Sequence, residues 1–151
     1  MKKSANLENS SNNPTCKQEN KWLEIEQRVR YSETDQMGIA HNKSYFEWFE
    51  IGRTEYCRQK NIPYKNIETR GYYLVVVEAF CRYKKALKYD EKFIIRIFPE
   101  EITAKKVRFS YQLAKKEKKS LIATGYTTHI VTNSKAQPCS LPTDIFNKIK
   151  A

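Results

Sequence analysis

The strongest constraint in this sequence is a single change of hydrophobic period. Residues 43–60, KSYFEWFEIGRTEYCRQK, place Tyr45, Trp48, Phe49, Gly52 and Tyr56 at helical spacing, with Phe46 and Ile51 widening the apolar face. Glu47, Arg58 and Lys60 fall outside that face, so the stretch predicts one thick, largely buried helix about 27 Å long at 1.5 Å per residue. After Pro63 and Gly71 the text turns to β-branched and aromatic runs at 72–83, 92–98, 105–114 and 120–132, separated by short charged connections. The clearest alternation sets Val107, Phe109, Tyr111 and Leu113 against Lys106, Arg108, Ser110 and Gln112, one face covered and one wet. Ahead of the helix, Trp22 to Glu33 alternates loosely as a first strand, and Thr34-Asp35-Gln36-Met37-Gly38 breaks it. The predicted order is β-α-β-β-β-β. A sheet and a helix each have a single apolar face needing cover, so the economical solution is an α+β fold with one antiparallel sheet packed on one helix.

The helix has two candidate caps, Asn42, or Ser44 with Glu47 three residues on, and a start near Asn42 is expected. Lys115 to Lys119 reads as a hairpin turn, and TDIFNKIK, after Pro138 and Pro142, as a short helical turn. Residues 1–20 hold almost nothing apolar, too little to offset the entropy of ordering them, and are expected to be a disordered polar tail. That leaves residues 21–151 as one domain, in keeping with a 151-residue chain.

The chain carries 28 Lys and Arg against 17 Asp and Glu, a net +11, of which the tail holds +1. Such a surface favours anionic partners. Nucleic acid is not expected among them, because the aromatics sit at core spacing, no RNA-recognition motif occurs and the lysines are dispersed. The four cysteines at 16, 57, 81 and 139 form no Cys-x-x-Cys, and only His41 and His129 could assist them, which argues against a disulfide framework or a zinc site. Cys57 and Cys81 read as small buried hydrophobes, and His129 as structural. No apolar run reaches membrane-span length, and Met1-Lys2-Lys3 leads into polar residues, so a cytoplasmic, reduced protein is expected.

The chemistry is concentrated between Tyr31 and Tyr56. Asp35 stands on the loop between a strand and the buried helix, seven residues before Asn42, with Gly38 allowing a tight path between them. The first turn of a helix exposes unpaired N–H groups and about half a positive charge, so an acyl carbonyl there is polarised and its oxyanion stabilised. Asp35 could then attack, or activate water. An Asp near a Gly is also, more commonly, a turn former bonding its own backbone.

Thr34, Asp35, Gly38, Ile39, Asn42 and Tyr45, continued by FEWFEIGRTEY and LVVVEAFCRYKKALKYDE, closely resemble the hotdog-fold acyl-CoA thioesterases of the 4-hydroxybenzoyl-CoA thioesterase group, particularly the bacterial YbgC/FadM-like branch. The likeness covers roughly residues 24–132. It implies a helix wrapped by a curved five-stranded sheet, protomers paired edge to edge as a homodimer or homotetramer, and active sites between subunits. It further implies Asp35 as the catalytic carboxylate and the Asn42 N–H as the group facing the thioester carbonyl, with Gly38, Ile39 and Tyr45 shaping the site. By the same resemblance Glu50 faces the acyl pocket, Leu74, Val75 and Val76 line it, and Lys105 with Lys106 contact coenzyme A phosphates. Read by themselves, Glu50 could pair with Arg53 on the helix surface, and Lys84-Lys85 and Lys105-Lys106 could be solvated edge residues.

Ala40-His41-Asn42 departs from family members that carry an aromatic residue just before the helix, which bears on acyl preference. His41 could bond in the pocket or assist proton transfer, or be an ordinary loop residue. The expected activity is hydrolysis of an acyl-CoA thioester to free acid and coenzyme A, with no metal and no cofactor beyond the substrate's own coenzyme A. The alternative is a non-hydrolytic module binding an acyl thioester or acyl carrier protein.

Overall fold

The structure is a computed structural model that describes residues 22–117 and 120–151. The expected tail lies outside the described residues. Five strands form one antiparallel sheet in the order β1-β3-β4-β5-β2. They are β1 (Leu23–Arg28), β2 (Tyr73–Tyr83), β3 (Lys92–Ile102), β4 (Lys106–Lys115) and β5 (Leu121–Thr132), with α1 (Asn42–Gln59) packed on one face. The described residues also form two short α-helices, α2 (Tyr64–Thr69) and α3 (Thr143–Lys150).

The packing follows from the two periods. Phe93, Ile95 and Ile97 of β3 and Val107, Phe109, Tyr111 and Leu113 of β4 are buried on the face that meets Trp48, Phe49, Gly52 and Tyr56 of α1. Trp48 lies 4.5 Å from Phe93, Phe49 stacks on Tyr111 at 4.3 Å, and Tyr56 meets Phe109 at 5.5 Å between ring centroids. The α1 N-terminus therefore sits at the end of the sheet where β3 begins, and its C-terminus at the end where β4 begins.

The structure departs from sequence expectation in four places. The first strand stops at Arg28, and Tyr31–Glu33 coils into a 3-10 turn, because the Glu33 carboxylate accepts the Arg30 N–H at 2.8 Å and folds the chain back. The cap of α1 is His41, whose Nδ1 accepts the Lys43 N–H at 3.2 Å; the Ser44 hydroxyl donates instead to the Glu33 carbonyl at 3.0 Å, so no Ser44–Glu47 box forms. β3 continues through Pro99 to Ile102 because a bulge between Pro99 and Glu101 accommodates the missing N–H. The helix α2, absent from the expected order, follows Pro63 and buries Ile67.

The two sheet edges differ in kind. On β1, Glu24 and Glu26 form ion pairs with Arg96 and Lys92 of β3. On β2, Val75, Val76, Val77, Phe80 and Tyr83 are exposed, and the strand bulges between Val76 and Glu78. Among the described residues no helix is long and apolar enough to cross a membrane.

Candidate active site at the start of helix α1

The loop from Thr34 to His41 is pinned from several sides. Thr34 bridges Ala40 and Ile39 bridges Lys88. Asp35 N–H donates to the Ile39 carbonyl at 2.9 Å, Ala40 N–H to Leu87 at 2.7 Å, Tyr89 N–H to Gly38 at 3.0 Å, and His41 N–H to Glu33 at 2.7 Å. Gly38 takes φ 74°, a left-handed conformation that a side chain would strain, and this lets the chain double back below Asp35.

Asp35 is exposed, and its Oδ1 accepts the Met37 N–H at 2.8 Å and the Ile39 N–H at 3.4 Å. The turn-former role is therefore real, and one oxygen performs it. Oδ2 takes no partner among the described residues, which leaves it free to meet a group entering the depression that Asp35 lines. That depression, about 650 Å³, is lined by Tyr31, Thr34, Asp35, Gln36, Gly38 and Tyr89. The exposed rings of Tyr31 and Tyr89 meet edge to face at 5.8 Å beside the carboxylate.

Asn42 is the first residue of α1, and its own N–H finds no acceptor among the described residues. It lines a second depression of about 320 Å³, with Ile39, Ala40, Tyr45, Tyr83, Lys84, Lys85 and Ala86. The two depressions share no lining residue, and Gly38–Ala40 runs from one into the other. Tyr83 ties the helix start to the end of β2, its hydroxyl 3.4 Å from the Asn42 carbonyl and its ring 4.8 Å from that of Tyr45. Burial pushes the Tyr45 hydroxyl up to about 12, so it remains a neutral phenol. Burial likewise raises the thiols of Cys57 and Cys81, to about 12 and about 11, which makes them poor nucleophiles. Among the described residues no cluster of His, Cys, Asp and Glu has the makings of a metal site.

Of the residues singled out from the sequence, Asp35, Gly38, Ile39, His41, Asn42 and Tyr45 gather at this end of the molecule. His41 is exposed, and with Nδ1 accepting the Lys43 N–H its ring proton belongs on Nε2. Glu50 is elsewhere in the single chain, on the outer face of α1 in a shallow depression with Arg30, Glu47, Ile51, Thr54, Glu55 and Arg58. Leu74, Val75 and Val76 open β2, paired with Val131, Ile130 and His129. Lys105 ends the β3–β4 turn and Lys106 opens β4, where it pairs with Glu101 at 3.1 Å. That turn is level with Val75, because Lys106 and Val75 both register on Ile130 of β5. The run from Val75 to Tyr83 spans roughly 25 Å at about 3.3 Å per residue, so Lys105 and Lys106 lie far from Asn42 of their own chain.

Three features were not assigned to the site from sequence. Lys84 and Lys85, read as edge residues, line the depression beside Asn42. Tyr31 and Tyr89 converge beside Asp35 although 58 positions apart, a pairing that depends on the Tyr89–Gly38 hydrogen bond and carries no local signal. Glu33 is almost fully buried under the loop, and a carboxylate two residues from Asp35 was its only trace in the text.

Comparison with known proteins agrees with this architecture. Residues 29–149 match the family model described as the thioesterase-like superfamily. A protein of Aquifex aeolicus (strain VF5), provisionally named an esterase, is 36% identical over 124 residues, covering 82% of this chain and 94% of its own. The crystal structure of a hypothetical protein from Aquifex aeolicus superposes with a TM-score of 0.79 at 31% identity, over 84% of this chain and 98% of that one. A DHNA-CoA thioesterase from Staphylococcus aureus does so with a TM-score of 0.78 at 26% identity, over 85% and 91%. With its helix wrapped by a five-stranded antiparallel sheet and this match over most of its length, the chain belongs to the thioesterase-like superfamily of hotdog-fold thioester hydrolases.

Proposed function

We propose that this protein hydrolyses an acyl-CoA thioester to the free acid and coenzyme A, with Asp35 as the catalytic carboxylate. The observation that carries this reading is a carboxylate with one uncommitted oxygen, held by the pinned loop that leads into a helix start whose first amide lacks an acceptor among the described residues. A thioester carbonyl oxygen received by the Asn42 N–H would be polarised by that donor and by the positive end of the α1 dipole. Asp35 then serves in one of two ways. As a base it takes a proton from water, the water oxygen adds to the carbonyl carbon, and the C–S bond breaks with the proton passing to the departing sulfur. As a nucleophile it displaces the thiolate, and water opens the resulting anhydride. Tyr31 and Tyr89 present aromatic surface to the reacting end of the substrate, and His41 stands within the same loop as a second proton carrier.

Two sets of cations suit the phosphates of coenzyme A. Lys84 and Lys85 line the Asn42 depression directly. Lys105 and Lys106 reach the same place only from a second copy: antiparallel pairing of two β2 edges would set the beginning of one strand, with its neighbouring β3–β4 turn, against the end of the other. The exposed apolar side chains of β2 support a homodimer or higher homo-oligomer built on that edge. Leu74 to Val76 and Glu50 of one copy would then complete the acyl pocket of the other.

The test is thiol release from short, long and aromatic acyl-CoAs by wild-type protein and by Asp35→Asn. Turnover on at least one substrate with a loss of about a hundredfold or more in the variant is expected. A folded Asp35→Asn protein retaining a tenth of wild-type turnover would remove Asp35 from the chemistry. Binding without release on the whole panel would replace hydrolysis by a binding function.

A further inference from the structure

Beneath the Asp35 loop lies a side chain that the proposed chemistry does not use. Glu33 closes the 3-10 turn, and its side chain is 4% exposed. Its Oε2 accepts the Trp48 indole N–H at 2.6 Å, and its Oε1 accepts the Arg30 backbone N–H at 2.8 Å and the Arg30 Nε–H at 3.1 Å. Its backbone carbonyl accepts twice more, from the His41 N–H at 2.7 Å and the Ser44 hydroxyl at 3.0 Å. One residue thus grips α1 at its cap, its first turn and its second turn, while Asp35 follows two positions later on the same backbone.

Those five bonds define the base of the loop. Thr34 and Ala40 bridge immediately above it, so residue 33 fixes the loop on its helix side while Leu87, Lys88 and Tyr89 hold the other. Short bonds from N–H donors to a buried carboxylate are stronger than neutral ones and strongly directional. Every bond asks Glu33 to accept. A glutamine of nearly the same size would turn an NH2 either toward the buried Trp48 donor or toward the part-buried Arg30 donors, setting donor against donor in both cases, with water shut out at the Trp48 end.

We infer that Glu33 is a positioning residue for catalysis, locking the Asp35 loop onto the first turns of α1 through Trp48, Arg30, His41 and Ser44. This rests on the thioesterase reading for its effect on rate, and on geometry alone for its effect on the loop. A displacement of about 1 Å between reacting groups can cost on the order of a hundredfold in rate.

The experiment compares wild type, Glu33→Gln and Trp48→Phe by thiol release from the best acyl-CoA substrate and by amide resonances. In Glu33→Gln, kcat falls ten- to a hundredfold while KM stays within about threefold, and the Met37 and Ile39 amides, which bond to the Asp35 carboxylate, shift together with the Trp48 indole N–H. Trp48→Phe gives a loss of the same kind, and the double variant is little worse than the poorer single one. A folded Glu33→Gln protein with kcat within twofold of wild type, or with Met37 and Ile39 unmoved, overturns the inference. If Glu33→Gln does not fold, Trp48→Phe is judged by the same two criteria. If the wild type hydrolyses no acyl-CoA, the thioesterase reading fails separately, and the Met37 and Ile39 resonances alone decide the role of Glu33.

Discussion

His129 is fully buried on β5, bounded by Thr127, whose hydroxyl lies 2.8 Å from Nε2, and by the Leu74 carbonyl, 3.4 Å from Nδ1. The Tyr111 hydroxyl lies 2.6 Å from the same Thr127 oxygen, so a neutral ring donating from Nδ1 completes a line of bonds from the core to the β2 edge. Burial, and then the nearby charge of Arg53, push the imidazole down to about 4, against the smaller opposing pull of the Leu74 carbonyl. In the unfolded chain the ring titrates near 6.5. Between those values the unfolded state binds more protons, so the contribution is complete above pH 6.5 and is lost as the pH falls toward 4. Its size by pH 4.5 is about 2.5 kcal/mol, at 1.36 kcal/mol per pH unit. Denaturant unfolding at pH 7 and 4.5 measures it: the loss on acidification should be smaller in His129→Gln than in wild type by about that amount, although the variant starts less stable. The structural role of His129 was legible, since no Asp, Glu or Cys stands near it in sequence; its partners were not, because Tyr111 and Thr127 meet only through the β4–β5 register.

Helix and sheet come close at two glycines, and these bear on how well α1 fits its groove. A Cβ on Gly125 of β5 would lie 2.6 Å from the Phe49 ring and run into the Phe80 carbonyl oxygen. Gly125→Ala therefore has to push Phe49 off its stack with Tyr111 or spread β5 from β2, an overpacking cost of about 1–3 kcal/mol. A melting temperature lowered by several degrees in Gly125→Ala checks this, and an unchanged one would mean that the helix is loosely seated. At Gly52 the nearest atom is the Cγ2 methyl of buried Ile95 at 3.1 Å, which has to give by only a few tenths of an ångström, so Gly52→Ala is expected to be milder. The sequence was most readable at this scale. Period 3.6 in α1 and period 2 in β4 each expose one apolar face, and the two faces meet as expected. Two of the misses have local causes: α2 has six residues and one fully buried side chain, too few to display a period, while Val29 and Tyr31 continue the alternation of a strand that ends at Arg28.

At the scale of the whole molecule, local and cross-strand information separate. The Asp35, Gly38 and Asn42 grouping was legible because it is contiguous in sequence, and its geometry depends on one loop and one helix start. The cations were harder to place: Lys84-Lys85 and Lys105-Lys106 look alike as text, and only strand register sets one pair beside Asn42 and the other at the far end of the sheet. Register also makes the apolar β2 edge the place where a second copy would matter. If a dimer forms there, assembly and turnover are linked, and diluting the protein should reduce specific activity as it dissociates. Val76→Lys puts a charge on that edge at a side chain already exposed, so the single chain has no reason to unfold. In sedimentation the wild type should run as a dimer or larger species at micromolar concentration, and Val76→Lys should shift toward monomer. Its activity should recover as protein concentration rises, which separates weakened assembly from damage to a pocket wall, since a damaged wall gives the same loss at every concentration. A wild-type protein that sediments as a monomer with undiminished turnover would place the complete active site within one chain and leave the valines of β2 without a partner.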